Sequence, residues 1–442
     1  MRLSVGGVGS PSSVRSIEGR LPEIIIVVLA VLLLGVAIVF GNADEPESNG
    51  LPSAGRLHRI ERNVERLRER RFKKRIEPKV VSPDDARDAA LRDLDDTYPP
   101  ADRRADEELL KLLGLVPRDT DIVKVLSAIS SEQVVGYYDT RRKELRLVSG
   151  NGADSPALVD ITLAHELVHA LEDQVFGLKE PSGTTDDESS ALTALHEGTA
   201  TYVMNEFAKC CVNASDLALG SFSALFSSAG ATELPPYVER TLVFSYTTGE
   251  EFVRQLRDAT GDWSLVDAAL KSQPPVSTEQ IIHPDKYVPF EKPLEVKLRV
   301  EPQLGDGWKR VADGTLGELD TRELLRLADP PGAVGAAAGW GGGRFELWQQ
   351  GEAPKDCDTP CRQRDALVLS WRWDTAADAR EFEPVLRAYV AKGLAGKAAG
   401  RDAWGLDGGA AAMSTAGAAT ALAFAPDARL ARRLADGAPV SR

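Results

Sequence analysis

The segment His165-Glu166-Leu167-Val168-His169 restricts the chemistry of this chain more than any other part. On an α-helix, residues i and i+4 lie one above the other, so both imidazoles can face a single point. Two nitrogen ligands placed in this way suit one divalent metal, with zinc as the usual occupant. Glu166 lies on the flank of the same surface, close enough to act on a water at the metal. The alternative is a pair of surface histidines on an amphipathic helix.

The residues around this segment predict a helix that carries it. Ser155-Pro156 is typical of a helix start, and apolar residues follow at largely helical spacing as far as Leu171. Gly177 is a plausible end of the helix. Upstream, two apolar runs at residues 134–138 and 144–148 flank a polar turn, which predicts a β-hairpin that leads into the helix.

A catalytic zinc usually takes three protein ligands and leaves a further position for water. The extended form of the motif, which adds a glycine and a third histidine, is excluded because Glu172 and Val175 stand at those positions. The next predicted helix, roughly residues 187–207, contains the adjacent pair His196-Glu197. Neighbouring helical residues point about 100° apart, so both cannot easily face the metal.

We expect Glu197 to be the third ligand. A glutamate from a second helix completes a His-His-Glu set, and the small residues Gly198 and Ala200 allow two helices to approach closely. The alternatives are that His196 is the ligand, or that neither residue is.

With His165, Glu166, His169 and Glu197 in this order, the chain resembles the gluzincin group of zinc metallopeptidases, whose third ligand is a downstream glutamate. More narrowly, it resembles a poorly characterised set of bacterial extracytoplasmic zincin-like proteins over roughly residues 56–435. The segments that carry the resemblance are 135–139, 165–174, 197–201, 277–287 and 338–342. Gly343 departs from the pattern, in which an Asp often follows the Gly-Trp-Gly-Gly run, and this puts a polar role for that loop in doubt.

The resemblance implies a metallopeptidase mechanism with Glu166 as general base. For the donor that stabilises the developing negative charge, we expect His283 or Tyr287, with Tyr138 as a third candidate. His283, beside Pro284, is equally compatible with a structural role. The strand at residues 134–138 resembles the edge strand with which zincins align an extended peptide. Asp173 is either a hydrogen-bond partner of a metal-site group or a solvated residue.

The N-terminal region predicts a membrane anchor. Residues 24–40 form an uninterrupted apolar run of near-spanning length. Arg2, Arg15 and Arg20 precede the run and acidic residues follow it, which places the C-terminal bulk outside the cell membrane. Cleavage after this run, at Gly41-Asn42-Ala43, would instead release a secreted protein.

The expected fold is α+β: a mainly helical zincin-like domain with a β-hairpin, an N-terminal transmembrane helix, and a smaller C-terminal α+β domain. With 442 residues and 43% hydrophobic content, the chain can form several cores. The predicted divisions are a cytoplasmic segment 1–23, an anchor 24–40, a linker 41–55, the metal domain 56–293 and the C-terminal domain 294–442, which begins with a strand at 294–300.

Charge and cysteine content narrow the set of partners. The net charge of −14 argues against nucleic-acid binding, which requires surplus Lys and Arg. One basic segment, residues 56–75, predicts an amphipathic helix whose charged face is either solvated or in contact with lipid headgroups. Cys357 and Cys361 suit a small disulfide loop. A bond between the adjacent Cys210 and Cys211 would require a strained ring, and pairing of one of them elsewhere in the chain is the alternative.

The sequence therefore predicts a membrane-anchored, extracytoplasmic, Zn²⁺-dependent hydrolase that cleaves proteins or peptides. Two alternatives remain: a catalytically inert zinc-containing binding or scaffolding protein of the cell envelope, and a zinc amidase that acts on cell-wall material.

Overall fold

The computed structural model describes residues 52–131, 136–149, 156–178, 185–212, 234–352 and 360–438. This part of the chain is α+β, with fourteen α-helices and two sheets. The helices are α1 Ala54–Arg68, α2 Pro83–Thr97, α3 Pro100–Leu112, α4 Ile122–Ser131, α5 Pro156–Phe176, α6 Asp186–Cys211, α7 Pro236–Thr260, α8 Ser264–Lys271, α9 Thr278–Ile282, α10 Pro284–Tyr287, α11 Glu318–Arg326, α12 Pro330–Ala337, α13 Ala376–Ala388 and α14 Ala428–Gly437. The strands are β1 Lys79–Val81, β2 Gly136–Asp139, β3 Glu144–Val148, β4 Trp308–Thr315, β5 Trp340–Gln350, β6 Asp365–Trp373, β7 Lys397–Gly400, β8 Ala403–Leu406, β9 Gly409–Ala416 and β10 Ala419–Ala425.

The predicted metal helix forms as α5, with Pro156 in its first turn and Gly177 in the left-handed conformation just beyond its end. Its central turns are almost completely buried, because α6 covers one side and α1 and the hairpin cover others. The basic helix α1 packs on the domain through Leu57, Ile60 and Val64, all buried. Its apolar face is therefore occupied by protein.

The predicted hairpin forms from β2 and β3, which pair antiparallel, with Tyr138 opposite Leu145. Val134 and Val135, which the sequence placed in the same strand, lie outside the described residues. β1 adds to the other side of β3 in parallel, so the sheet order is β1-β3-β2 and β2 is an edge strand.

The C-terminal part contains a seven-stranded antiparallel sheet in the order β4-β5-β6-β10-β9-β8-β7. One face packs against α11 and α13, where Trp371, Trp373 and Phe382 stack closely. The other face is covered by α14 through Leu430 and Leu434. Both faces of the sheet are therefore buried.

The predicted strand at 294–300 is wrong. Leu294 donates its N–H to Gly341 O (2.6 Å), Leu298 and Val300 pack on the outer face of the sheet, and Glu295 and Lys297 face solvent. The alternation of apolar and polar residues thus reflects burial on one side rather than pairing in a ladder.

The predictions of a transmembrane helix in the fold and of a single-pass membrane location are contradicted. Across the described ranges, no helix combines the length and the apolar character needed to cross a membrane. The segment on which both predictions rested, residues 24–40, lies outside the described residues.

Candidate metal centre

The structure brings His165, His169 and Glu197 together. His165 Nε2 lies 3.0 Å from His169 Nε2 and 3.1 Å from Glu197 Oε2, and His169 Nε2 lies 3.6 Å from the same carboxylate oxygen. Ligand atoms at the corners of a zinc tetrahedron, with bonds of about 2.0–2.1 Å, are about 3.3 Å apart. The spacing and the chemistry of the three donors therefore fit a tetrahedral divalent metal with one position left over.

The approach of Glu197 depends on a close crossing of α6 and α7. A Cβ built on Gly198 would come within 2.2 Å of the main chain of Gly249, and one on Gly249 within 2.0 Å of Ala194 O. Only glycine allows the two backbones to come this near. The small residue beside Glu197, which suggested close helix packing in the sequence, has this role.

Burial and charge compensation dominate the electrostatics of the centre. His165, Glu166 and Glu197 are at most 2% exposed, and His169 is 8% exposed. Burial alone would lower the pKa of His169, but the carboxylate of Glu197 and other acidic neighbours raise it to about 9. Burial would raise the pKa of Glu197, but His169 and His165 hold it below its ordinary value. Without a metal, a protonated His169 thus balances the carboxylate.

Glu166 is held by the hairpin. Its Oε2 accepts a hydrogen bond from the Tyr138 N–H (2.7 Å), while its Oε1 is buried and has no protein partner among the described residues. Burial raises the pKa of this carboxyl to about 8. One oxygen is therefore fixed by the edge strand, and the other is free to bind a water or a substrate group.

Asp173 holds the same strand, β2, through a second hydrogen bond. It accepts hydrogen bonds from the Tyr138 hydroxyl (2.7 Å) and from Lys143 Nζ (2.6 Å), and its side chain is buried. Glu166 and Asp173 are seven residues apart on α5 and so lie on one face. Tyr138 thus hydrogen-bonds Glu166 through its backbone amide and Asp173 through its hydroxyl. Asp173 is therefore a buried hydrogen-bond partner and not a solvated residue.

α5 is also anchored on its opposite side. Arg68 of α1 is completely buried and donates to Glu172 Oε1 (2.7 Å) and Asp267 Oδ1 (2.6 Å). Its guanidinium lies over the Trp263 ring, 4.1 Å from the centroid. This buried network fixes the turn of α5 that follows His169.

Tyr246, on α7, is a residue of the centre that the sequence did not indicate. It is 2% exposed, its ring centroid lies 6.0 Å from that of His165, and the charge of the nearby Glu197 carboxylate acts on its hydroxyl. Burial and the nearby carboxylates raise its pKa well above the ordinary value, so the hydroxyl keeps its proton. The available signal was its spacing of three residues from Gly249, which places both on the face of α7 toward α6.

His196 is not part of the group of converging ligand atoms. It is half-buried, and burial, together with the positive charge of His169, lowers its pKa to about 4. Neighbouring residues of a helix point about 100° apart. This rotation explains why the Glu197 carboxylate converges with the other ligand atoms and the neutral imidazole of the adjacent His196 does not.

The other two residues expected at the site have different partners. His283 Nε2 lies 3.1 Å from Glu318 Oε1, a buried carboxylate at the start of α11. The Tyr287 hydroxyl donates to Gln273 O (2.8 Å), and its ring packs edge-on against Phe252. These contacts give both residues a packing role, and their assignment as transition-state donors stays a prediction that the geometry does not support.

A second group of carboxylates, Glu279, Glu291 and Asp374, surrounds an ammonium group. Lys286 Nζ lies 2.5, 3.5 and 2.6 Å from their oxygens, respectively. The lysine supplies the positive charge that these residues need. The motif at residues 277–287 therefore joins the metal domain to the C-terminal part of the chain.

The fold and the centre define an α+β protein with a buried two-histidine, one-glutamate candidate metal site. Residues 303–435, which include all seven strands of the C-terminal sheet, match a family described as a domain of unknown function (DUF8575). Neither a curated protein nor a solved structure matches the chain.

Proposed function

We propose that this protein is a zinc-dependent hydrolase, and most specifically a metallopeptidase. The observation that carries the proposal is the convergence of His165, His169 and Glu197 at tetrahedral ligand spacing, with Glu166 directly beside them. The Oε1 atom of Glu166 has no protein partner among the described residues and is a base placed next to the candidate metal site. Zinc bound there would act as a Lewis acid and lower the pKa of water toward neutrality.

The residues divide the remaining work. His165, His169 and Glu197 would hold the metal, with the Tyr246 hydroxyl next to Glu197. Glu166 accepts a proton from the attacking water at Oε1 and returns it to the leaving amine, while the Tyr138 N–H keeps Oε2 in place.

The edge strand β2 supports a peptide as the substrate class. It is paired on one side, by β3, and its Tyr138 lies against Glu166. An extended chain that adds to this edge would bring a peptide bond near the centre. An amidase acting on cell-wall material uses the same zinc chemistry and is the main competing activity.

The test compares wild type with Glu166→Gln on denatured protein, a peptide library and purified cell-envelope material. We expect wild type to cleave peptide bonds and Glu166→Gln to lose roughly 10²- to 10⁴-fold in rate while it still binds zinc. Glu206→Gln, a change on the same helix at a partly exposed residue that pairs with Lys209, is the matched control. Release of cell-wall fragments without peptide cleavage would favour the amidase, and zinc binding without either activity would favour an inert binding protein.

A further inference from the structure

The adjacent residues Cys210 and Cys211 are bonded to each other at the C-terminal end of α6. Both are exposed, in contrast to the core of that helix. We propose that this pair is a thiol–disulfide exchange site that takes a small dithiol or a protein dithiol as its redox partner. The proposal is independent of the hydrolase function.

Exposure is the first reason. Disulfides that stabilise a fold are usually shielded, whereas exposed ones are accessible to an attacking thiolate and are more often labile. Cys361 provides the contrast within the same chain, because it is also disulfide-bonded but is 4% exposed. The bond at 210–211 also closes no loop of chain, so little conformational entropy is lost from the unfolded state by forming it.

Arg66 is the second reason. Its Nη2 lies 3.3 Å from Cys210 Sγ and 3.6 Å from Cys211 Sγ, and it is carried by α1. The buried anchor Arg68, two residues further along, fixes this helix. The carboxyl end of α6 disfavours a negative charge, so a cation at this place is needed to stabilise a thiolate.

The exchange can be written in full. A thiolate of the dithiol attacks Cys211 Sγ, the Cys210–Cys211 bond breaks, and Cys210 leaves as a thiolate beside Arg66. The second thiol of the partner, after losing its proton, then attacks the sulfur of the mixed disulfide that belongs to the partner and releases Cys211. The protein pair gains two electrons and two protons, and the dithiol is oxidised to a disulfide.

The experiment uses the full-length protein purified without reductant. It is equilibrated with defined ratios of reduced to oxidised dithiothreitol, trapped with iodoacetamide and analysed by peptide mass. We expect the peptide with Cys210 and Cys211 to be unalkylated before any reductant is added. It should become doubly alkylated at a ratio of reduced to oxidised dithiothreitol that is roughly tenfold lower than the ratio needed for the Cys361 peptide. Two free thiols before any reductant is added, or no difference between the two peptides, would overturn the proposal.

The role of Arg66 has its own variant. Arg66→Ala should lower the equilibrium constant for reduction of the Cys210–Cys211 disulfide by roughly two- to fivefold, which is the range of an exposed charge interaction. High salt should remove this difference between the variant and wild type. Arg62→Ala, an exposed arginine one turn earlier on α1, is the matched control and should behave as wild type. Equal behaviour of the two variants would contradict stabilisation of the thiolate by Arg66.

Discussion

Tyr246 reaches the candidate metal centre from a third helix, and its hydroxyl lies near the carboxylate proposed as the third ligand. Partners of this kind fix the orientation of a ligand before the metal arrives. We predict that Tyr246→Phe weakens zinc binding roughly tenfold without unfolding the protein. Competition with a chromophoric chelator measures the affinity, and circular dichroism checks the fold.

Tyr287→Phe is the companion change, because its hydroxyl bonds Gln273 O and not a site residue. We expect its zinc affinity and its hydrolytic rate to stay within about twofold of wild type, since no transition-state donor is removed. A loss of rate as large as that of Glu166→Gln would restore Tyr287 to the catalytic role that the sequence suggested.

At the scale of single residues, the sequence predicted the features that depend on local helix geometry. The four-residue spacing of His165 and His169 is local, and the choice of Glu197 depended on the His-His-Glu ligand set and on its small neighbours. Tyr246 could not be found in this way, because its place depends on how α7 crosses α6. The sequence could not show that His283 pairs with Glu318, because this partner lies 35 residues away and only the fold brings it close.

At the scale of elements, the crossing of α6 and α7 makes a stability prediction. Gly249→Ala would force a methyl group against Ala194 O, so we expect the free energy of unfolding to fall by about 1–3 kcal/mol, together with weaker zinc binding. Gly335→Ala on α12 meets nothing within 4 Å and should be neutral or stabilising. Urea denaturation of both variants tests this, and equal stability of the two would show that the helices are not in close contact.

A buried carboxyl in the middle of α3 predicts a pH effect. Asp106 accepts a hydrogen bond from the Tyr98 hydroxyl (2.5 Å), and burial raises its pKa to about 8. The unfolded chain has an ordinary value of about 4. The folded state therefore holds the extra proton between about pH 4 and pH 8, and stability falls as the pH rises through this window.

Asp106→Asn removes this titration. Relative to wild type, the variant should gain about 1–3 kcal/mol of stability between pH 5 and pH 8.5. Urea denaturation at both pH values measures the difference, and the exposed change Asp88→Asn is the control. A constant difference between Asp106→Asn and wild type at both pH values would be inconsistent with a raised pKa.

The elements that the sequence did not reveal share one property. β7, β8 and β9 are rich in Ala and Gly and poor in β-branched residues, so their strand propensity is low. They form strands because each pairs with a neighbour in the sheet: β9 with β10, β8 with β9 and β7 with β8. Residues 294–300 show the opposite case: their apolar and polar residues alternate as in a strand, but the segment does not form one. The long helices α5 and α6 were predictable because their caps and periodicity are local.

At the scale of the whole molecule, the predicted boundary between residues 293 and 294 crosses a continuous core. One apolar cluster includes Leu110 and Val238 from one side and Leu324 and Trp371 from the other. Polar contacts add to it, because Thr278 bonds Asp187 at the start of α6 and accepts the N–H of Leu319 on α11. The C-terminal part therefore braces the N-terminal ends of helices that carry the centre.

This arrangement predicts one cooperative unfolding transition for the described part of the chain. Differential scanning calorimetry on the metal-free protein measures it, with zinc added in a second scan. Two well-separated transitions in the metal-free protein would indicate that the regions on either side of residue 293 fold independently. The sequence suggested a boundary because composition changes there, but composition does not record contacts between distant residues.

The most direct test of the account is the zinc content of purified protein after dialysis, measured by inductively coupled plasma mass spectrometry. Wild type, His169→Ala, Glu197→Ala and His196→Ala are compared. We predict about one zinc per chain for wild type and for His196→Ala, and almost none for the other two. Zinc retained in His169→Ala or Glu197→Ala, or absent from wild type, would contradict the metal centre proposed here.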